Sequence, residues 1–530
     1  MKKLIAFGLL TISLMSYAQQ VKIKWGEPLE TSAKITSFMA HKDDKVYTLS
    51  VKKDDYYIEC FNKDNYSKLF STKLEIPRIV NKKQEIEEIL FSGNQFTIFT
   101  SYYDRTEKKF RLNAYNINMQ GVINPKPLEL LKLEAESKND IGKILFRISP
   151  DSSCILITHT YTKQKTTENH LAFFVLDREL NVISNSDMIV PSKTGNAYNI
   201  LMDCYISNKR ELFLTELKLT RATQQQDANL EYSIIKYSEQ GKEISRIPVE
   251  LDGKRIISME LQFNSKQELM IYGHYNKSPN PKDYYFNAYN GTYFIVYNTE
   301  TDAQISKSTF DFEQEMINNY YTQKQLKNGD IKYLGVNYRS GSVKEKESGG
   351  YVIVYEEYNI QFNQGPNGAS SQTYYYGDLT VVNLDPKGEI KWVKMVPKRQ
   401  YFIRKQGPLG IGFGPVMITT SVNLNDDESI YYSYTIVVKD EQIFLIYNDL
   451  PVNAEVMSPR NQKVLKKIKG TVPVVAILNE NGEMRKKLLT EMAGTDVNLC
   501  PRVALEMTNN AILVYGSKGN DYKIGTLIIQ

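Results

Sequence analysis

An all-β fold of repeated four-stranded units closed into a ring is the fold class this sequence predicts. Three observations predict it. One hairpin pattern recurs along the chain, tyrosine outnumbers tryptophan 37 to 2, and the last repeat lacks a strand that the N-terminus can supply. Tyrosine suits the half-buried pleated surface of a strand, so the composition itself leans to β.

The chain begins MKKLIAFGLLTISLMSYAQQ: Lys2 and Lys3, an apolar run from Leu4 to about Met15, then Ser16-Tyr17-Ala18. A basic stretch, an apolar stretch and small residues at the positions a signal peptidase reads spell a secretory signal peptide, expected over residues 1–18. The apolar run is shorter than the ~20 residues a spanning helix needs, and no later segment approaches ~18 uninterrupted apolar residues. No cysteine follows the cleavage point to accept a lipid. The expectation is an exported chain with no direct membrane anchor, periplasmic first, with the cell surface or the extracellular space as alternatives.

Residues 19–530 are expected to form one domain. Seven segments read as the third and fourth strands of successive units: YYIECFNKDNYSKLF (56–70), FRLNAYNINMQGVI (110–123), LAFFVLDRELNVI (171–183), YSIIKYSEQGKEI (232–244), TYFIVYNTETDAQI (292–305), LTVVNLDPKGEI (379–390) and PVVAILNENGEM (473–484). Each is a hydrophobic alternation broken by Asn, Asp or Gly, the signal for a hairpin. The first and second strands recur too, in FMAHKDDKVYTLSV, FRISPDSSCILITHT, LQFNSKQELMIYG and their counterparts, with the sixth unit looser around Asn337 to Tyr355. Turn centres near 43, 94, 151, 208, 266, 347, 441 and 509 are spaced by 51, 57, 57, 58, 81, 94 and 68 residues. That is close to a four-stranded propeller blade of about 40 to 50 residues plus loops. The prediction is a β-propeller of eight four-stranded blades, with seven or nine as alternatives.

The eighth unit runs CPRVALEMT, AILVYGS, YKIGTLIIQ, and stops one strand short at Gln530. KIKWGEPLE (22–30) has the character of the missing fourth strand. It shares Ile-Lys-Trp with EIKWVKMVP (389–397), and the two segments hold both tryptophans, Trp25 and Trp392. An N-terminal strand completing the last blade removes the free edges that an open array of sheets would expose. Equivalent places in two fourth strands point to packing roles for the two indoles rather than to a sugar platform.

The FRISPDSSC stretch (146–154) is similar to the SPDG strand-turn-strand of exported propellers of the TolB and prolyl-oligopeptidase type, with Ser152 in place of the glycine. The segment 374–400, YYYGDLTVVNLDPKGEIKWVKMVPKRQ, together with a leader ending in Ala-Gln, resembles large exported proteins of the Bacteroidota. These resemblances imply a lineage and a compartment, and no catalytic residue comes with them.

Chemistry is sparsely marked. The formal charge is +5, or +3 without Lys2 and Lys3 (64 basic against 61 acidic residues), and the charges are interspersed. Such a balance demands neither nucleic acid nor a membrane surface. His41, His159, His170 and His274 are scattered, and none sits in HxH, HExxH or a His/Cys spacing that a metal needs. A GxSxG nucleophile elbow is absent. NLNDDE (423–428) lacks the glycine and distal glutamate of a calcium loop and reads as an acidic turn. GPLGIGFGP (407–415) is not GxGxxG and reads as a tight loop. Lys463, Lys466, Lys467 and Lys469 read as a solvated face. Cys60, Cys154, Cys204 and Cys500 lie in apolar runs and read as buried thiols, with Cys154 to Cys204 the first choice if an oxidised pair forms. No catalytic, cofactor-binding or metal residue is assigned.

Insertions near 311–330, 361–373, 401–420 and 451–470 sit in the C-terminal half, the first read as a short helix. Propeller blades are scaffold and their loops vary, so the expectation is that these segments mark a one-sided binding surface, with flexible ornament as the alternative. The functional expectation is a non-catalytic exported scaffold binding protein partners in a cell-envelope assembly. The alternative is a polysaccharide-acting hydrolase or lyase, or a glycan binder, using the central funnel, where paired carboxylates would be needed.

Overall fold

The structure is a computed structural model. It describes residues 21–529 except 32, 54, 80–82, 93–94, 136–140, 164–167, 191–192, 195–196, 221–228, 278–287, 328–330, 365–369, 407–428, 490–496 and 509–510.

Among the described residues there are eight antiparallel sheets of four or five strands and one two-stranded pairing. Sheet 1 runs Lys34–Lys42, Lys45–Lys52, Asp55–Asn62 and Lys68–Lys73, and each later sheet repeats this meander. The first strands of sheets 2 to 8 are Glu85–Ser92, Lys143–Ile148, Ala197–Ile206, Arg255–Phe263, Tyr338–Glu345, Thr435–Lys439 and Asn498–Thr508. Second and third strands are buried on both sides, so they read as near-continuous apolar runs such as LMIYGHYN (269–276) and VPVVAIL (472–478).

Turns between third and fourth strands share one chemistry. Asn118, Asp177, Ser238, Asp385 and Asn479 each accept through the side chain from the backbone N–H four residues on, and the backbone N–H three residues on donates to their carbonyl. The residue three on sits at positive φ, as Gly121, Leu180, Gly241, Gly388 and Gly482, so glycine fills four of the five places. The SPDSS turn of sheet 3 follows the same economy: Ser152 takes φ 57° where the motif it resembles has glycine, and Asp151 Oδ1 accepts from Ser149 Oγ and from Ser153 N–H.

The ring is visible in how apolar side chains distribute. One cluster of buried residues joins each sheet to the next. Leu49 and Ile98 lie between sheets 1 and 2, Leu112 and Ile157 between 2 and 3, Phe173 and Leu214 between 3 and 4, and Phe213 and Ile271 between 4 and 5. Phe294 and Ile353 follow between 5 and 6, Val381 and Leu445 between 6 and 7, and Phe444 and Val514 between 7 and 8. Ile35 and Phe61 of sheet 1 then pack with Leu513 and Tyr515 of sheet 8, which closes the circle. The fold is therefore a β-propeller. First strands of neighbouring sheets touch one another, and Lys344 of sheet 6 pairs with Glu506 of sheet 8 at 2.6 Å across sheet 7, which puts the first strands around the axis.

Closure uses the N-terminal strand. Val21–Trp25 pairs antiparallel with Asp521–Ile529, from Val21 opposite Ile529 to Trp25 opposite Gly525, as the outermost strand of sheet 8. Val21 and Ile23 bury against sheet 7, and Gly26 N–H continues the ladder to the Ile524 carbonyl at 2.9 Å.

The two tryptophans occupy outermost strands, as expected, but not equivalent faces. A register shift at Lys391, between the Leu384–Ile390 and Asn383–Trp392 pairs, turns Trp392 toward sheet 7, while Ile390 faces sheet 5. The Val21–Trp25 ladder has no such shift, and Trp25 packs over the glycines 516 and 525 of its own sheet on the side facing sheet 7. One bulge residue separates the two arrangements.

Candidate functional site

Antiparallel strands fix where the insertions emerge. The turns from first to second and third to fourth strand share one end of the ring. Connections from second to third strand, and from one sheet to the next, share the other. The segments 312–337, 364–370, 397–434 and 450–471 are all connections of the latter kind, so their described parts lie at one end, over sheets 5 to 7; of the expected insertions, 328–330, 365–369 and 407–420 lie outside the described residues.

These segments pack on one another. In 312–337, two short helices, Gln314–Tyr320 and Gln323–Lys327, form where one was expected. Arg460, from the insertion of sheet 7, donates to the Asn318 and Tyr321 carbonyls at the end of the first helix. Sheet 6 extends beyond the ring, because Tyr351–Gln364 and Ser370–Leu384 run on past the blade and Gln400–Gln406 pairs with the extension. Its inner face is a ladder of rings: Tyr374 stacks on Phe402 at 4.7 Å, Phe402 on Tyr432 at 5.0 Å, and Tyr358 meets Tyr376 at 5.1 Å. Leu465 plugs this ladder from the sheet 7 insertion, fully buried, with its N–H bonded to the Arg399 carbonyl at 2.8 Å.

Beneath lies a buried polar floor. Lys398 Nζ pairs with Glu356 Oε1 at 2.8 Å, and Ser433 Oγ donates to Glu356 Oε2 at 2.8 Å. Asp378 Oδ1 accepts from Lys398 N–H at 2.8 Å; burial and the nearby Glu357 charge push its carboxyl up to about 7. One sheet over, Asp449 accepts from Asn453 and Gln462, while Lys486 Nζ donates to the Asn453 carbonyl at 3.0 Å and stands 3.9 Å from Asp449. Charges this deep persist only when paired and hydrogen-bonded.

First strands carry charge around the axis. Arg147 pairs with Asp203 at 2.6 Å, and Tyr205 donates to the same carboxylate at 3.2 Å. Glu260 accepts from Gly341 N–H at 2.9 Å across sheets 5 and 6, and burial raises its pKa to about 7. Glu260 nevertheless keeps partial solvent exposure. Between the first strands of sheets 1 and 2 a cavity of about 270 Å³ is lined by Ser37, Met39, Glu87 and Glu88.

The residues weighed from sequence are dispersed. His41 is exposed on the first strand of sheet 1. His159 and His170, expected in different units, instead share sheet 3, because the two strands that carry them pair directly, and they sandwich Tyr161 at 4.8 Å on each side, with Asp187 bonded to Tyr161 and His170. His274 is buried against Tyr338 and Tyr355, and burial lowers its pKa to about 3. All four cysteines are buried free thiols, and Cys154 and Cys204 pack in the same apolar cluster without bonding. Lys463, Lys466, Lys467 and Lys469 are exposed, as expected. The 407–415 and 423–428 segments lie outside the described residues.

Sequence reasoning passed over Glu356, Asp378, Lys398, Arg339 and Arg502. A signal existed for the first: YVIVYEEYNI sets two adjacent carboxylates in an otherwise apolar strand, where a charge must have a partner.

Comparison with protein-family models and with curated proteins gives no match. Among solved structures the chain is similar to a protein of unknown function from Bacteroides caccae, at 13% identity, a TM-score of 0.27 and coverage of 66% of this chain and 93% of that one. It is also similar to the Dos1 propeller (9% identity, TM-score 0.43, 96% of this chain and 95% of that one). A third is the β-propeller domain of the Trilobed protease from Pyrococcus furiosus (10% identity, TM-score 0.33, 88% and 95%). At such identity a likeness speaks of the fold alone, and the propeller stands on the closed circle of sheet contacts in this chain.

Proposed function

We propose that the protein is a non-catalytic, exported β-propeller scaffold, with each of the eight sheets one blade of a domain spanning 19–530, and that it binds a protein partner in the cell envelope. One observation carries the reading: the described parts of the insertions converge on one end of the ring, over sheets 5 to 7, and are bonded to each other there. Apolar side chains stand exposed on them, Phe362 at 65%, Val452 at 59% and Ile403 at 52%. Exposed apolar surface on pre-ordered loops lowers the cost of ordering on association.

The test is affinity capture from envelope extracts with the wild type and with a Val452→Asp, Ile403→Asp double variant. A stoichiometric partner retained by the first and lost by the second supports the scaffold. Turnover of a polysaccharide panel with no such partner would reverse the reading toward the funnel enzyme. Release by osmotic shock, with residues 1–18 removed, is the outcome expected for a periplasmic protein; an uncleaved cytoplasmic chain would refute export.

A further inference from the structure

Two arginines on first strands around the axis have no counter-ion among the described residues. Arg339 lies on the first strand of sheet 6 and Arg502 on that of sheet 8, and in both strands the register breaks beside the arginine. Arg339 pairs with Glu356 and Ser342 with Val354, three residues against two. Leu499 pairs with Gly516 and Ala504 with Val514, five residues against two. Bulges of this kind re-aim side chains and cluster at functional sites.

Sheet 7 stands between the two strands. Its first strand, Thr435–Lys439, has five residues, and the chain before it turns through the short helix Ser429–Tyr431. Sheet 8 is bonded to it: Thr435 Oγ1 donates to the Pro501 carbonyl and Asn448 Nδ2 to that of Leu499 at 2.8 Å, which seats Arg502 beside sheet 7. From the other side, the Arg339 guanidinium lies over the Tyr358 ring at 5.7 Å, and Tyr358 meets Tyr376. The Lys344–Glu506 pair at 2.6 Å joins the same two first strands a few residues farther on, which brings Arg339 and Arg502 into one neighbourhood, and both arginine charges act on the Tyr358 and Tyr376 hydroxyls against the rise that burial causes.

Neither arginine takes a hydrogen bond or an ion pair among the described residues, and both are half-buried. Glu356 is the nearest candidate by register, but its two oxygens are taken by Lys398 and Ser433. Glu260, on the neighbouring sheet, accepts from Gly341. Two like charges held together without a partner are unfavourable in the empty state. Guanidinium forks match planar oxyanions in paired hydrogen bonds.

We infer that Arg339 and Arg502 form a binding site for an oxyanion, a carboxylate or sulfate group carried by a small ligand entering from the insertion end.

The experiment is thermal unfolding of the full chain with sodium sulfate, acetate or D-glucuronate at constant ionic strength made up with chloride. The wild type should show a saturable rise in Tm with at least one of the three. In Arg339→Gln and in Arg502→Gln the half-saturating concentration should rise tenfold or more, while Arg485→Gln, an exposed site on the outer strand of sheet 7, should respond as the wild type. Equal response to acetate and glucuronate supports a bare carboxylate as ligand, and tighter glucuronate an acidic sugar. Without anion, each of the two glutamine variants should melt at or slightly above the wild-type temperature, because like-charge repulsion is relieved; a clear fall would show that the arginines hold the fold together instead. No saturable response beyond chloride, or equal responses from all variants, overturns the site.

Discussion

Sheets 3 and 4 meet through Cys154, Leu156, Phe173, Cys204, Ile206 and Leu214, an interface of thiol, aliphatic and phenyl side chains. Sheets 6 and 7 meet through an equally apolar cluster, but at the insertion end Lys398, Glu356, Asp378, Asp449 and Lys486 are buried beneath the stacked loops. The strand pattern is the same in both places. What differs is the buried charge: where the described loops cover sheets 6 and 7, backbone carbonyls leave the sheet ladder and need buried donors, and Lys398 and Lys486 supply them to Tyr376, Asn453 and Val456. Buried charge here positions the insertions more than it stabilises them.

The largest way to break the comparison acts on neither interface but on the clasp both depend on. Deleting residues 21–30 removes the buried Val21, Ile23 and Leu29, each worth roughly 1.5 to 3 kcal/mol, and bares the edge of Asp521–Ile529. A loss of the cooperative melt, or a fall of Tm by more than about 10 °C, is expected by calorimetry; an unchanged Tm would remove the clasp from the account.

Next comes Lys398→Met, which strands Glu356 in the polar floor and should cost about 3 to 5 kcal/mol in denaturant unfolding. Adding Glu356→Leu should recover part of that loss. At the interface of sheets 3 and 4, by contrast, Leu156→Ala should cost about 2 to 5 kcal/mol through a cavity alone, with no compensating partner to change.

Titration separates two buried groups, His274 of sheet 5 and Asp378 of sheet 6, in sign. His274 stays neutral in the fold down to about pH 3, whereas the unfolded chain protonates near 6.5, so its contribution is present above about 6.5 and is lost as pH falls from there toward 3. Asp378 runs the other way. Its carboxyl keeps its proton in the fold up to about pH 7 and loses it near 4 when unfolded, so stability falls as pH rises through that window. His274→Phe should flatten the acid limb of a Tm against pH curve, and Asp378→Asn should flatten the limb between about 4 and 7. Identical curves for wild type and variants would show that neither group is buried as described.

The smallest effect distinguishes the two indoles. Trp392 Nε1 donates to the Glu480 carbonyl at 2.7 Å and lies against Gly482, while Trp25 Nε1 has no hydrogen-bond partner among the described residues. Phenylalanine at 392 should therefore cost about 1 kcal/mol more than phenylalanine at 25. Equal losses would mean that packing alone decides.

Most of the blade architecture was legible because alternation and turn residues act locally: the Asn, Asp and Ser turns, the repeat spacing and the missing strand each lie within a few residues of their cause. Placing the insertions at one end followed from counting strands, once sheets 5 to 7 had been delimited. The polar floor and the arginine pair were not legible. Lys398 meets Glu356, and Arg339 nears Arg502, only through the ring's curvature, and no spacing in sequence encodes that. The faces of Trp25 and Trp392 were hidden for a smaller reason, since a single bulge residue at Lys391 reverses a side chain that the shared Ile-Lys-Trp would place alike.

Val21 faces Ile529, partners 508 positions apart by subtraction of their numbers. For a flexible chain, bringing such distant residues together costs about 4 kcal/mol more entropy than closing a five-residue turn, so this contact cannot nucleate folding. It becomes cheap only after the intervening sheets have stacked and carried the two strands to within reach. Until then both sheet 8 and sheet 1 keep an unsatisfied side, so closure of the ladder is the late step that converts a stack into a ring. Its timing, not its size, decides how long the nascent molecule is exposed to association with its own copies.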